Sequence, residues 1–164
     1  MKTILFSYKF IFIIFTTLPL AMCSNDDNTE EENPFQPVTI NLDGLNIDTD
    51  DTSFVVDGFQ FKATRVKSQS GGILLAYPNQ ASDFSVLELD LTKSIGVSKI
   101  SISLFNNCSG CLDIQILNGN QIVTEVKGTE LESGENLVEI DINTNVSALR
   151  IGSLETIIYT IKLE

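Results

Sequence analysis

Apolar and polar residues alternate along most of the chain from residue 37 onward. The pattern is clearest in SKISISLF and LDIQIL, where every second residue is isoleucine or leucine. Such a period of two places the apolar side chains on one face of an extended strand, whereas a helix needs a period of about 3.6. Further segments of this kind are VTINL, GFQFKATRV, VLELDL, QIVTEV, NLVEIDI, SALRI and TIIYTIKL. The sequence therefore predicts a series of half-buried β-strands.

Turn-forming residues separate these segments, at Asp57-Gly58, Ser70-Gly71-Gly72, Asn118-Gly119-Asn120, Ser133-Gly134 and Gly152-Ser153. Many short strands divided by turns at intervals of about eight to twelve residues are typical of sandwiches and jelly rolls. We predict an all-β fold for residues 37–164, in the form of a single antiparallel two-sheet β-sandwich that is jelly-roll-like.

The first 22 residues have the composition of a secretory signal peptide. Lys2 and Lys9 flank the apolar segment Phe10–Leu18, which is too short to cross a bilayer because a spanning helix needs about 20 apolar residues. A permanent membrane span is the alternative. Both interpretations predict that the chain after Met22 is exported.

Cys23 lies where the apolar segment ends and an acidic stretch begins. LAMC, Leu20 to Cys23, resembles the lipobox of bacterial lipoproteins, and the following SNDDN resembles the acidic export tag of Bacteroidota surface lipoproteins. The resemblance implies a lipid anchor on Cys23 and a location at the outer membrane, facing the cell surface. Ordinary signal cleavage, with an incidental thiol, is the alternative. Residues 23–36 are acidic and include Pro34, and Pro37 follows directly, which predicts a flexible tether.

Composition excludes several classes of function. The chain has 22 acidic and 10 basic residues, a net charge of −12, and no cluster of Lys or Arg, so we predict no nucleic-acid partner. The chain has no histidine, which removes the usual acid–base residue at neutral pH and the usual zinc ligand. Paired carboxylates could still hydrolyse a glycoside, because that mechanism needs only two acidic groups.

The order of the strand segments resembles β-sandwich domains of secreted bacterial proteins, which include many carbohydrate-binding modules. In those domains an Asn-Gly turn joins a middle hairpin, and the closing strand pairs with the first. The resemblance implies a non-catalytic domain that binds a glycan or another cell-envelope protein. A small carboxylate-dependent glycoside hydrolase is the alternative.

Aromatic residues are the usual platforms for sugar rings, and the chain has no tryptophan. Tyr77 is the best candidate for an exposed aromatic residue, and Asn79 and Gln80 are its polar neighbours. We predict a ligand-binding site at these three residues. Most of the other aromatic residues, a group that includes Phe84, are predicted to lie in the core.

Cys108 and Cys111 flank Ser109-Gly110 between two strand segments. No helix start and no second cysteine pair accompanies them, which disfavours a redox or metal role. We predict a disulfide across a tight turn at the tip of a hairpin, because the two Cα atoms of such a turn lie within bridging distance. Two buried free thiols are the alternative.

Acidic side chains cluster in the predicted loop LDGLNIDTDDTS. The preferred interpretation is a solvated turn in which Asp and Asn accept hydrogen bonds from the nearby backbone. The alternative is a structural calcium ion bound by Asp48, Asp50 and Asp51, because Ca²⁺ prefers six to eight oxygen ligands. No other cofactor is predicted.

Overall fold

The structure is a computed structural model that describes residues 35–76, 84–108 and 110–164, with the backbone alone at 48–51. The stretch Pro34–Glu164 forms one compact unit. Within the described residues, no helix has the length and apolar character needed to cross a bilayer.

Eleven strands account for most of this unit, and all their pairings are antiparallel. A single 3-10 turn at Gly128–Glu130 is the helical element in the described part of the chain. The all-β prediction is therefore confirmed. The strands are β1 (Val38–Asn41), β2 (Asp48–Val56), β3 (Phe59–Gln69), β4 (Gly72–Ala76), β5 (Ser85–Asp90), β6 (Lys99–Asn106), β7 (Leu112–Asn118), β8 (Gln121–Lys127), β9 (Gly134–Asp141), β10 (Ala148–Ser153) and β11 (Glu155–Leu163).

The strands form one continuous sheet that curls back on itself to give the two faces of the predicted sandwich. We call the strands β2, β3, β5, β10, β7 and β8, in this spatial order, the front half. The back half contains β4, β11, β6 and β9, and β1 lies beside β11. As the resemblance implied, the closing strand β11 pairs with β1, and the Asn118-Gly119 turn joins the hairpin β7–β8.

Strand β3 connects the two halves because it changes partner at Arg65. It pairs with β5 from Phe61 to Thr64 and with β4 from Val66 to Gln69. Between these segments the backbone of Arg65 has a φ of 55°, a value that is uncommon outside glycine and that accompanies local irregularities in strands. The Arg65 side chain donates a hydrogen bond from Nη2 to the carbonyl of Phe84, at 2.9 Å.

The core lies between the two halves and consists of the inward residues that the alternation predicts. Leu89 and Ile151 of the front half and Ile102 and Ile161 of the back half are at most 1% exposed and belong to one apolar cluster. Burial of such side chains contributes roughly 1.5–3 kcal/mol each. The core is therefore shared, and it holds the two halves of the sheet together.

Two local predictions were wrong. Asp48, Asp50 and Asp51 lie in β2 and not in a loop, because the long strand β3 offers a ladder partner as far as Lys67 and pairing outweighs the low strand propensity of Asp. The turn at Cys108 is not a hairpin tip. It leads from β6 in the back half to β7 in the front half, and these two strands pair with other neighbours.

A network of fully buried polar side chains lies next to this turn. Thr156 Oγ1 donates to Asn106 Oδ1 at 3.3 Å and lies 2.6 Å from Ser153 Oγ. The same Asn106 oxygen accepts the backbone N–H of Cys108 at 3.4 Å, and the carbonyl of Cys111 accepts the N–H of Leu154 at 3.2 Å. The network therefore joins β6, β10 and β11 to the turn.

Thr156→Val is expected to lower the free energy of unfolding by about 1–3 kcal/mol, because it leaves buried polar partners unpaired while the shape is kept. Denaturant unfolding measures the change. Thr39→Val on the exposed side of β1 is the matched control, and it should change stability by less than about 0.5 kcal/mol. Equal effects of the two substitutions would contradict a structural role for the network.

Candidate functional site

The outer face of the front half carries a row of polar side chains that crosses six strands. Strand register places them directly opposite one another, and their alternation with core residues turns them away from the core. We call this set the polar row; from β2 to β8 it consists of Ser53, Lys62, Glu88, Arg150, Gln115 and Glu125.

Hydrogen bonds hold the centre of the polar row in place. Arg150 donates from Nε and Nη2 to Glu88 Oε2, at 2.9 Å and 2.8 Å. Gln115 Nε2 donates to Glu125 Oε1 at 3.0 Å and to Asp113 Oδ2 at 2.9 Å. The Arg150 side chain is nevertheless 44% exposed, so its remaining donors face solvent. The row is a fixed surface of donors and acceptors that a ligand can reach.

A groove of about 360 Å³ lies along one side of the polar row, towards the loops at the end of β5. It has the volume of a small-molecule site. Positive and negative side chains face each other across its floor, since Lys62 is opposite Glu88 and Arg150 is bound to Glu88. The groove residues include Gln60, Lys62, Glu88, Asp90, Asn120 and Arg150.

Phe84 lies on the other side of the polar row and presents an aromatic ring on the same outer face. The residue is 39% exposed. Its Cδ2 atom is 3.5 Å from the position that a Cβ of Gly152 would occupy, so the ring rests against the backbone of β10 where no side chain intervenes. Three features therefore follow one another along the outer side of β5. From its start to its end they are the Phe84 ring, the polar row at Glu88 and the groove at Asp90.

Sequence reasoning missed Phe84 as a site residue. The signal was present in FSVLELD. Leu87 and Leu89 point inward, so the even-numbered residues of this strand, and Phe84 with them, must point outward. Phe84 is therefore an exception to the prediction that most of the aromatic residues lie in the core. Its carbonyl also accepts the hydrogen bond from Arg65, which holds the backbone at the start of β5.

The carboxyl groups of this face differ in their pKa. Burial, and then the nearby negative charge of Glu125, raise the pKa of Asp113. Hydrogen bonds from Gln115 and Lys127 lower the pKa of Glu125. Hydrogen bonds from the side chain and backbone of Thr92 lower the pKa of Asp90 in the groove.

Asp113→Asn is expected to stabilise the protein at pH 7 by less than about 1 kcal/mol, because the residue is only partly buried and solvent screens its charge. A raised pKa in the folded state means that ionisation of Asp113 opposes folding, so the gain should be present at neutral pH and absent below about pH 3, where the carboxyl is protonated in both states. Thermal unfolding from pH 3 to pH 8 tests this. A gain that is independent of pH would contradict the assigned cause.

The predicted site residues have different outcomes. Cys108 and Cys111 form a disulfide with a Cα–Cα distance of 5.3 Å. Cys23 and the set Tyr77, Asn79 and Gln80 lie outside the described residues. No group of three metal-binding side chains converges in the described part of the chain, but this part does not include the side chains of Asp48, Asp50 and Asp51, so calcium stays a prediction.

In the turn before β2, Asp and Asn side chains accept hydrogen bonds from the backbone, as the preferred interpretation of the acidic loop predicts. Asp43 Oδ1 accepts the backbone N–H of Gly44 at 2.8 Å and that of Gly71 at 3.0 Å. Asn41 Oδ1 accepts the N–H of Asp43 at 3.0 Å. Within the described residues, these oxygens therefore serve the backbone of the turns.

No known family matches the chain, and no curated protein does. Among solved structures, it is similar to a mutant of CBM29-2, a family 29 carbohydrate-binding module, at 10% identity and a TM-score of 0.49, over 78% of this chain and 91% of that one. CBM29_1, a family 29 carbohydrate-binding module from Piromyces equi, is similar with the same identity and TM-score. The match covers 78% of this chain and 89% of that one. Another CBM29-2 mutant, complexed with cellulohexaose, is 11% identical with a TM-score of 0.42, over 78% of this chain and 89% of that one. Likeness at this level assigns neither a family nor a function to the chain.

Proposed function

We propose that the protein is a non-catalytic domain that binds a neutral glycan along the outer face of the front half. The observation that carries the proposal is the exposed Phe84 ring, whose Cδ2 atom lies 3.5 Å from the Cβ position of Gly152 on the same outer face as the polar row. An aromatic ring that is exposed on the same face as a row of hydrogen-bonding side chains offers a sugar ring an apolar surface next to polar partners.

The chemistry of this face matches a sugar chain. Sugar rings have an apolar C–H face that packs on an aromatic ring, and Phe84 offers that surface. Their hydroxyl groups both donate and accept hydrogen bonds, and the polar row offers Arg150 as a donor and Glu88 as an acceptor. Bonds from hydroxyls to ionised groups are stronger than those between neutral groups.

The charge pattern favours a neutral glycan over an anionic one. Both positive side chains of the groove, Lys62 and Arg150, lie opposite the carboxylate of Glu88. The chain as a whole has a net charge of −12, which repels anions.

The carboxyl groups of this face are poorly suited to hydrolysis. Glycosidases need one protonated acid and a second carboxylate at least about 5 Å away. In the groove, Glu88 is bound to Arg150 and the pKa of Asp90 is lowered. Asp113 has a raised pKa, but its carboxyl lies within hydrogen-bonding reach of that of Glu125, which is too close for either hydrolytic geometry. Binding without catalysis therefore fits the face better than the hydrolase alternative.

A glycan array probed with the purified protein tests the proposal. We expect binding to neutral linear glycans and none to sulfated or uronic-acid chains, with no release of reducing sugar on prolonged incubation. Absence of binding to every neutral glycan would contradict the proposal and favour a protein partner in the cell envelope. Release of reducing sugar would favour the hydrolase.

We further propose that the domain is exported and held at the outer membrane, facing the cell surface, by a lipid on Cys23. The support is the sequence alone: the apolar segment Phe10–Leu18, the cysteine directly after LAM, and the acidic tether that follows. Acyl chains contribute about 0.8 kcal/mol for each buried CH₂ group.

Cys23→Ala is expected to move the protein from the membrane fraction to the soluble fraction, because the acyl chains are its only attachment in this account. Cell fractionation with immunoblotting measures the distribution. Cys108→Ala is the matched control for loss of a cysteine, and it should leave the membrane association unchanged. Wild-type protein recovered with a free thiol at Cys23 would contradict lipidation.

A further inference from the structure

A pocket of about 480 Å³ lies beyond the groove, at the end of the sandwich. Two connections form it: residues 91–98, between β5 and β6, and residues 142–147, between β9 and β10. Thr92 lines both the pocket and the groove, and Val146 of the pocket is followed directly by Ser147 of the groove. The two cavities are therefore contiguous.

The described side chains that line this pocket carry no charge, although 20% of the residues of the chain are charged. Its polar groups are hydroxyls and amides, which both donate and accept hydrogen bonds. Buried aliphatic residues, Leu91, Val97 and Ile142, form its apolar part. The side chains that a ligand can contact include Thr92, Ile95, Asn143, Thr144 and Asn145.

Two features of the pocket have no partner in the described part of the chain. Ser94 is only 5% exposed, and its buried hydroxyl makes no hydrogen bond in this part of the chain. Ile95 is 76% exposed at the same connection. A buried unpaired hydroxyl is unfavourable, and the exposed Ile95 side chain offers a surface that the apolar face of a ligand can cover.

Backbone hydrogen bonds fix the two connections to each other. The N–H of Leu91 donates to the carbonyl of Ser147 at 2.9 Å, and the N–H of Ile142 donates to that of Ser98 at 2.7 Å. Thr92 is held by Asp90. The hydroxyl of Thr92 donates to Asp90 Oδ1 at 2.6 Å, and the backbone N–H of Thr92 donates to the same oxygen at 2.8 Å. The pocket is thus preformed, which lowers the entropic cost of binding.

We propose that this pocket is an additional subsite for a neutral sugar and that one linear glycan passes from Phe84 along the groove and over Thr92 into it. The proposal rests on the proposed function and extends it, because it makes the affinity depend on chain length. Short chains occupy the outer face of the front half alone. Longer chains gain the hydrogen bonds of Asn143 and Asn145 and the apolar contact of Ile95.

Calorimetric titration with cello-oligosaccharides and manno-oligosaccharides of three to eight units tests the proposal. For wild-type protein we expect the affinity for one series to rise with length. In the double variant Asn143→Ala/Asn145→Ala, the affinity for the longest chain should fall about tenfold, the effect of two lost hydrogen bonds. The affinity for the shortest chain should not change. Asn46→Ala, at an exposed asparagine before β2, is the matched control.

The outcomes separate the two proposals. If wild-type protein binds and the double variant shows the same rise of affinity with chain length, the subsite is overturned. The glycan-binding face would still stand. Loss of affinity for short and long chains alike in the double variant would also overturn it. Absence of binding to both series by wild-type protein would overturn the subsite, and the glycan array decides separately whether the proposed function stands.

Discussion

Gly72→Ala is expected to destabilise the protein by about 3 kcal/mol or more, the largest effect that we predict for a single methyl group. A Cβ at this position would lie 2.1 Å from the carbonyl oxygen of Ile158 and 3.2 Å from the Cα of Tyr159. Both atoms belong to the backbone of β11, which pairs with β4 directly after Gly72. Since backbone atoms cannot rotate away as a side chain can, the two strands would have to separate.

Gly58→Ala is the matched control for this substitution. Gly58 has a φ of +84° in the turn between β2 and β3, and no atom lies within 4 Å of its Cβ position. Alanine there should cost only about 1–2 kcal/mol, the strain of the left-handed backbone. Urea unfolding compares the two variants. Equal losses would mean that the close approach of β4 to β11 does not constrain residue 72.

Phe84→Ala is expected to reduce the affinity for a neutral glycan at least tenfold, and to bring weak binding below detection. An aromatic residue that packs directly on a ligand can contribute about 2 kcal/mol or more to binding. The ring is partly exposed and rests against a glycine, so its removal should cost little stability. Calorimetric titration gives the affinity, and thermal unfolding shows whether the fold is intact.

Phe105→Ala provides the matched control, because Phe105 lies on the outer side of β6 in the back half. It removes the same ring from the opposite face of the sandwich. Its glycan affinity should equal that of the wild-type protein. Equal loss in both variants would point to a general effect on the fold and would contradict a binding role for the front half.

The strands and the core could be predicted from the sequence because both depend on local alternation. Residues such as Ile102 and Leu89 recur at a period of two and are buried where that period requires. The curling of the sheet could not be predicted. It depends on the change of partner at Arg65, which is set by the positions of β4 and β5 and not by the residues around it.

The candidate site could be predicted only in part. Glu88, Arg150 and Gln115 are far apart in sequence and unremarkable alone; they form a row because antiparallel register places them opposite one another. Alternation identifies Phe84 as outward, but it does not show that Gly152 leaves room for its ring. For Cys108 and Cys111, spacing predicts the disulfide, whereas the topology decides that their turn connects the two halves.

NMR titration of the purified protein with the glycan bound most tightly on the array shows which face of the sandwich holds the ligand. We expect amide shift changes in β5, β10 and β7 around Phe84, Glu88, Arg150 and Gln115, and none in the back half. Shift changes confined to the strands β6, β9 and β11 would contradict the assignment of the glycan to the outer face of the front half.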